Sequence, residues 1–197
     1  MVIVLENTTS DRIYYTSFKL FLENGYEATN IRDICNEVGV KASTIYFYYK
    51  SKQDLFFYIY DEICNDYINY LRGIEKLDND IPIKEKLYLL LKKKIEYYIT
   101  DMSRRKFIQR YHLFPPEEIS SVIREKYKFY VNEENKITLD IIGNPQLENN
   151  FINEYIDSYL LKCKKLENHL VYEMMTYNTK ISDEAVIKLW DIYFGLM

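Results

Sequence analysis

The side chains able to do covalent chemistry are few and scattered along the chain. His112 and His169 are the two histidines, and neither accompanies a serine or cysteine motif, an HExxH pair or a glycine-rich phosphate loop. Cys35, Cys64 and Cys163 lie far apart, without CxxC spacing and without a Cys/His cluster at metal-ligand spacing, which fits a reduced compartment. Glu117 and Glu118 resemble a catalytic acid pair, yet directly after Pro115-Pro116 two acids suit the positive end of a new helix. The expectation is therefore a protein that is not an enzyme and carries no metal or cofactor. What remains is binding chemistry. Two short helical segments meet at Gly39, and the second is crowded with hydroxyls and aromatic rings. A short helix pair with a glycine corner is a weak signal alone, but its physical use is to set the second helix in the major groove of DNA.

The elements that position this pair follow from helical spacing. A first helix is predicted from Ser10 or Asp11, either able to cap it, to Asn24, with Ile13, Ser17, Leu20 and Phe21 on one face and Gly25 ending it. The second follows Thr29 as N-cap and turns Ile31, Ile34, Cys35 and Val38 inward before Gly39. The third runs from about Ala42 to Tyr49, with Ile45 and Tyr49 on the buried face and Thr44, Phe47 and Tyr48 outward. Ser51 caps a fourth, about residues 52–73, with Leu55, Ile59, Ile63 and Tyr67 in a stripe. Residues 75–82 are polar, end in proline and read as a linker. Beyond them helices are predicted near 83–100, 103–112, 116–142, 146–178 and 182–196, with breaks at Pro115-Pro116, Gly143-Asn144-Pro145 and 178–181. No strand pattern, repeat or low-complexity segment interrupts this series. The fold class is all-α.

Composition agrees with a globular chain. Of 197 residues 48% are hydrophobic and 28% charged, so disorder and membrane spans are both disfavoured, and five glycines and four prolines suit long helices. The 21 tyrosines and ten phenylalanines predict an aromatic interior. Met1 to Leu5 is apolar but short and without a basic flank, so no signal peptide is expected and a cytoplasmic location is. A net charge of −4 argues against indiscriminate coating of nucleic acid. Basic and acidic side chains are close to balanced over residues 1–55, so any DNA site must work by position rather than by net charge.

The stretch from Phe21 to Leu55 resembles the DNA-binding signature of the TetR family. The resemblance rests on Gly25-Tyr26 with Thr29, Ile34-Cys35 with Gly39-Val40, Thr44-Ile45-Tyr46 with Tyr48-Tyr49, and Ser51-Lys52 with Leu55, in order and without a gap. It covers residues 10–60. It implies an N-terminal three-helix DNA-binding domain, residues 1–55, and a C-terminal helical ligand-binding and dimerisation domain, residues 56–197, with helix 4 connecting them. It also implies phosphate contacts from Thr29, Thr44, Tyr46, Tyr48 and Lys52, all chemically suited to phosphate oxygens. Base readout then falls to Lys41, Ala42, Ser43 and Phe47, the first suited to a guanine edge, Ala42 and Phe47 to a thymine methyl. Lys41, Ser43 and Tyr49 depart from the family's usual residues. The first two face DNA, so operator preference does not transfer from relatives.

The same resemblance implies a ligand-responsive repressor that binds double-stranded operator DNA as a homodimer and is released by a small-molecule effector. The last two helices would pair between subunits, with Leu160, Met174, Met175, Leu189, Trp190, Tyr193 and Phe194 supplying apolar surface or, equally, packing within one chain. Pocket candidates on the middle helices are Tyr97, Phe107, Tyr111, His112, Phe114, Tyr127, Tyr130 and Tyr159, each also readable as core. These rings, with an acid such as Glu96 or Glu154, suit a lipophilic cation, and a fatty acyl or aromatic acid fits almost as well, so a lipophilic or aromatic effector is expected. A helical binding module without DNA function is the alternative left open by Lys41 and Ser43.

Overall fold

The computed structural model describes residues 8–78, 80–143, 150–177 and 182–195, with side chains left undescribed at 150–157 and 159. Among them the regular structure is helical: α1 Thr9–Asn24, α2 Ile31–Val38, α3 Ala42–Tyr48, α4 Lys52–Arg72, α5 Ile83–Thr100, α6 Met102–Leu113, α7 Ser120–Ile141, α8 Asn150–Tyr177 and α9 Asp183–Phe194, with a single 3₁₀ turn at Glu117–Ile119 before α7. The all-α expectation holds, and the helices expected from spacing are found within a few residues. The breaks expected at Asn144-Pro145 and at 178–181 fall outside the described residues.

Two caps differ from expectation by one to three residues. Thr8, not Ser10 or Asp11, caps α1: its hydroxyl accepts the Asp11 N–H at 3.1 Å, and the Asp11 carboxylate accepts the Thr8 N–H at 3.2 Å. Asn30, not Thr29, caps α2 in the same reciprocal way with Asp33. Both are capping boxes in which an acid stands at the third helical position, where reading back from the acid identifies the cap. Replacing Asn30 with alanine is expected to destabilise the unit by about 1 kcal/mol, read as a lowered urea midpoint with unchanged slope. No loss would show that α2 is held by packing alone.

The chain forms two compact units that do not follow chain order. One comprises Met1–Tyr67 with Ser103–Tyr130, the other Ile68–Met102 with Val131–Met197. The segment 103–130, which a division in chain order gives to the second domain, thus packs with the helix-turn-helix. In the first unit α1 and α3 pack on α2, and the core runs from Ile13, Phe21, Ile34, Val38 and Ile45 through Leu55, Phe56 and Ile59 to Phe107 and Tyr111 of α6 and Ile123 of α7. It is strongly aromatic. Phe56 sits at its centre, its ring 4.7–6.4 Å from those of Phe21, Tyr26, Phe57, Tyr60, Phe107 and Tyr111.

In the second unit α8 packs against α5 and α9. Leu87, Leu91 and Ile95 of α5, Leu166, Leu170 and Val171 of α8 and Val186 and Trp190 of α9 are buried there. Trp190 is fully buried, meeting the Tyr88 ring at 5.2 Å and the Phe194 ring at 4.0 Å. Trp190 and Met174, two of the residues considered for subunit pairing, therefore belong to the core of their own chain.

Candidate nucleic-acid interface

The helix-turn-helix is fixed from behind. Gly39 ends α2 at φ 76°, a left-handed conformation that β-carbon-bearing residues seldom adopt. Its N–H and that of Val40 both donate to the Cys35 carbonyl, at 2.9 and 3.0 Å. Arg12 of α1 donates to the Val38 carbonyl and so ties the first helix to the same corner. Beyond the corner α3 begins at Lys41, whose extended backbone provides the N-cap position but whose side chain makes no capping bond. A lysine lacks the acceptor that a capping serine or threonine supplies. Seven residues with one open cap do not hold a helix in isolation. Ile45, fully buried, and Tyr49, 5% exposed just after the helix, hold it to the core instead. Ser51 then caps α4, its hydroxyl accepting the Asp54 N–H at 3.0 Å.

With Ile45 inward, the rest of α3 faces out. Phe47 is 82% exposed, Tyr46 52% and Tyr48 43%, and Lys41, Ala42 and Ser43 are also exposed, while Thr44 is half-buried. These seven are residues expected to meet DNA, and the structure gathers them on one short element. Thr29 and Lys52 are placed differently. The Thr29 side chain is buried, its hydroxyl within hydrogen-bonding distance of the Gly25 carbonyl at 2.8 Å and the Leu20 carbonyl at 3.1 Å. It locks the α1–α2 turn, and a hydroxyl so committed is not presented to phosphate. Lys52 donates to the Tyr26 carbonyl at 3.0 Å, and its ammonium lies 4.1 Å from the centre of the Tyr26 ring. Its charge is held against the same turn. Burial, then the neighbouring Glu118 carboxylate that accepts its hydrogen bond, push the Tyr26 hydroxyl up to about 12.

Of the eight residues considered for a ligand pocket, the seven with described side chains fall six in the first unit and one, Tyr97, in the second. Phe107 and Tyr111 are core of the first unit, the Tyr111 hydroxyl donating to the Phe21 carbonyl at 2.8 Å. His112 stacks on Tyr127 with ring centres 3.5 Å apart, and Phe114 is largely exposed. Tyr130 donates to Asp61, whose carboxylate also takes both contacts of Lys126, at the edge of an open concavity of about 340 Å³. Tyr97, in the second unit, lies against the Tyr70 ring at 4.7 Å. The Tyr159 and Glu154 side chains lie outside the described residues, and Glu96 is exposed beside Lys93.

Sequence spacing gave no weight to a buried ionic group in the second unit. Lys94 reaches Glu134 at 2.6 Å and Glu167 at 3.7 Å, Lys164 reaches both at 3.0 Å, and the Tyr98 hydroxyl donates to Glu167 at 2.7 Å. Glu134 and Glu167 are 4% and 1% exposed. Beside them lies a cavity of about 20 Å³ lined by Leu87, Leu91, Thr138, Leu160 and Cys163, room for about one water. The signal was present in α5. Leu87, Leu91, Lys94 and Tyr98 fall at intervals of four, three and four, so Lys94 occupies an apolar stripe.

A buried frame that presents one short, aromatic, hydroxyl-bearing helix is the arrangement of a helix-turn-helix. Residues 13–59 match the model of bacterial regulatory proteins of the tetR family. That stretch, about a quarter of the chain, carries the similarity to the TetR family seen in the sequence. The chain is 27% identical over 170 residues to the biofilm operon icaADBC negative transcriptional regulator IcaR of Staphylococcus aureus, covering 78% of this chain and 83% of IcaR. It is 31% identical over 100 residues to the HTH-type regulator YerO of Bacillus subtilis, covering 51% of this chain but only 33% of YerO, so that match spans about a third of its relative. In fold it is similar to the transcriptional regulator FadR of Bacillus subtilis, solved in complex with stearoyl-CoA, at a TM-score of 0.62 and 18% identity over 94% of this chain and 98% of that one. These relatives regulate transcription and are not enzymes. No helix among the described residues is long and apolar enough to cross a membrane.

Proposed function

We propose that the chain is a cytoplasmic repressor that binds operator DNA as a homodimer and leaves it when a small molecule occupies its helical C-terminal domain. The observation that carries the reading is the outward face of α3. Tyr46, Tyr48, Ser43 and Lys41 offer phosphate and base-edge partners from a helix whose inner face is fully committed to packing. A single helix-turn-helix buries little surface, so specific binding calls for two copies about one turn of DNA apart. Leu161, Tyr172, Ile187 and Ile192 leave apolar area exposed on α8 and α9, which suits pairing of these helices between subunits. The effector is taken to be lipophilic or aromatic, in keeping with the rings of the C-terminal half and with the acyl-CoA bound by FadR. The roles of the domains stay as the resemblance implies, residues 1–55 meeting DNA and 56–197 sensing and pairing. Lever action is assigned to α4, which runs on from the first compact unit into the second. A ligand acts only by binding one arrangement better than the other.

The test is fluorescence anisotropy of the full chain on DNA flanking its own gene, at several salt concentrations, with random duplex as competitor. Specific retention that weakens steeply with salt is expected. Tyr46→Phe and Tyr48→Phe each remove only a hydroxyl from each subunit and are expected to weaken dimer binding about a hundredfold, the worth of two hydrogen bonds to charged phosphates. Lys52→Ala is a poorer probe, because that side chain also holds the Tyr26 turn. If neither this DNA nor any duplex from a random library is preferred, the repressor reading falls.

A further inference from the structure

How α3 tells one base pair from another follows from what it lacks. The helix, ASTIYFY, carries no Arg, Asn, Gln, Asp or Glu, the side chains that make paired or accepting hydrogen bonds to guanine, adenine and cytosine edges in the major groove. Its most exposed residue is instead a phenylalanine: Phe47 is 82% exposed, and its ring meets the Tyr48 ring edge-on at 5.1 Å. Helical side chains lean toward the N-terminus, so this ring overlies the turn that carries Ser43, whose small side chain leaves a base pair room to approach it. Lys41 and Lys50, both exposed, bracket the patch, and that charge favours a polyanion over an apolar protein partner.

We infer, on the operator-binding reading above, that Phe47 is a specificity-determining residue that reads the 5-methyl group of thymine. Of the four bases only thymine offers an apolar group in the major groove, where cytosine has a hydrogen and the purines present polar edges. A phenyl ring distinguishes thymine from cytosine by burying that methyl, which also removes the ring's own exposed surface from water. Half-sites are thus chosen at this position by apolar contact, with the tyrosine hydroxyls fixing register on the backbone.

The experiment begins with selection of duplexes by the full chain from a random library, followed by replacement of each thymine of the selected half-site with uracil. Uracil keeps base pairing and deletes only the methyl. At one or more positions the wild-type chain is expected to bind about fourfold more weakly, the loss of one buried methyl. Phe47→Ala is expected to bind thymine and uracil equally at that position, and Phe47→Leu to retain part of the preference. The helical circular dichroism and melting of both variants check that the exposed ring is dispensable for folding. Uracil without effect at every position, or a preference that persists in Phe47→Ala, overturns the inference and leaves operator binding standing. Failure to select any duplex overturns operator binding and the inference with it.

Discussion

Replacing Phe56 with alanine is expected to cost the helix-turn-helix unit about 3–5 kcal/mol of stability. The ring is fully buried and stands among six other aromatic rings contributed by α1, the turn after it, α4 and α6. Truncation removes both the apolar area withdrawn from water and the contacts of the neighbours, which are too large and too constrained to close the gap. Phe47→Ala provides the contrast. It deletes the same phenyl group from an exposed position and is expected to change stability by no more than about 0.5 kcal/mol. Urea unfolding followed by circular dichroism reads both. A Phe56→Ala loss below about 1 kcal/mol would mean that this centre is loosely packed.

The second large effect is expected in the other unit, from Lys94→Met. The substitution keeps most of the volume but removes one of the two lysines that face Glu134 and Glu167, and breaking a buried ion pair on one side costs about 3–5 kcal/mol. Trp190, the only tryptophan, lies in this unit, so its fluorescence follows the loss. The pH dependence separates charge from packing. Burial pushes the Glu134 carboxyl up, but Lys164 and Lys94 outweigh it, and the net shift is below the usual carboxylate range. A group lowered in the folded state stabilises fully above its unfolded pKa, and that contribution is lost as pH falls through and below about 4. Wild-type stability is therefore expected to decline on acidification and the Lys94→Met difference to shrink with it. A difference that stays constant with pH would assign the effect to shape rather than to charge.

What could be read from the sequence was local. Capping residues, the Gly39 corner and the three- and four-residue spacing of Ile34, Cys35, Val38 and Ile45, Tyr49 are written within a few residues of where they act, and with the family resemblance around them they made the helix-turn-helix legible. Thr29 was misplaced by one position because a threonine and an asparagine both suit a cap. Only the fold shows that one hydroxyl turns back to Gly25 while the other side chain takes Asp33. Phe107 and Tyr111 were read as pocket residues because helical spacing does not say which partner a ring will meet some 50 residues away along the chain. The ionic group was hidden for the same reason, since Lys94, Glu134 and Glu167 each look like ordinary surface charge until three distant helices bring them together.

The membership of residues 103–130 in the first unit bears on how such a protein can be recombined. Arg110 donates to the Leu22 carbonyl at 2.7 Å and lies so close beneath Gly25 that a β-carbon there would stand 2.8 Å from its guanidinium. Tyr111 and Phe107 complete the wall around Phe56. The helix-turn-helix unit, the DNA reader of the proposed function, is therefore not a cassette that a single cut after α4 releases. A chimera that grafts residues 1–67 onto a foreign sensor strips away part of the reader's own floor, and only a graft that carries 103–130 along, or a recipient whose equivalent helix supplies the same rings and guanidinium, transfers an intact one.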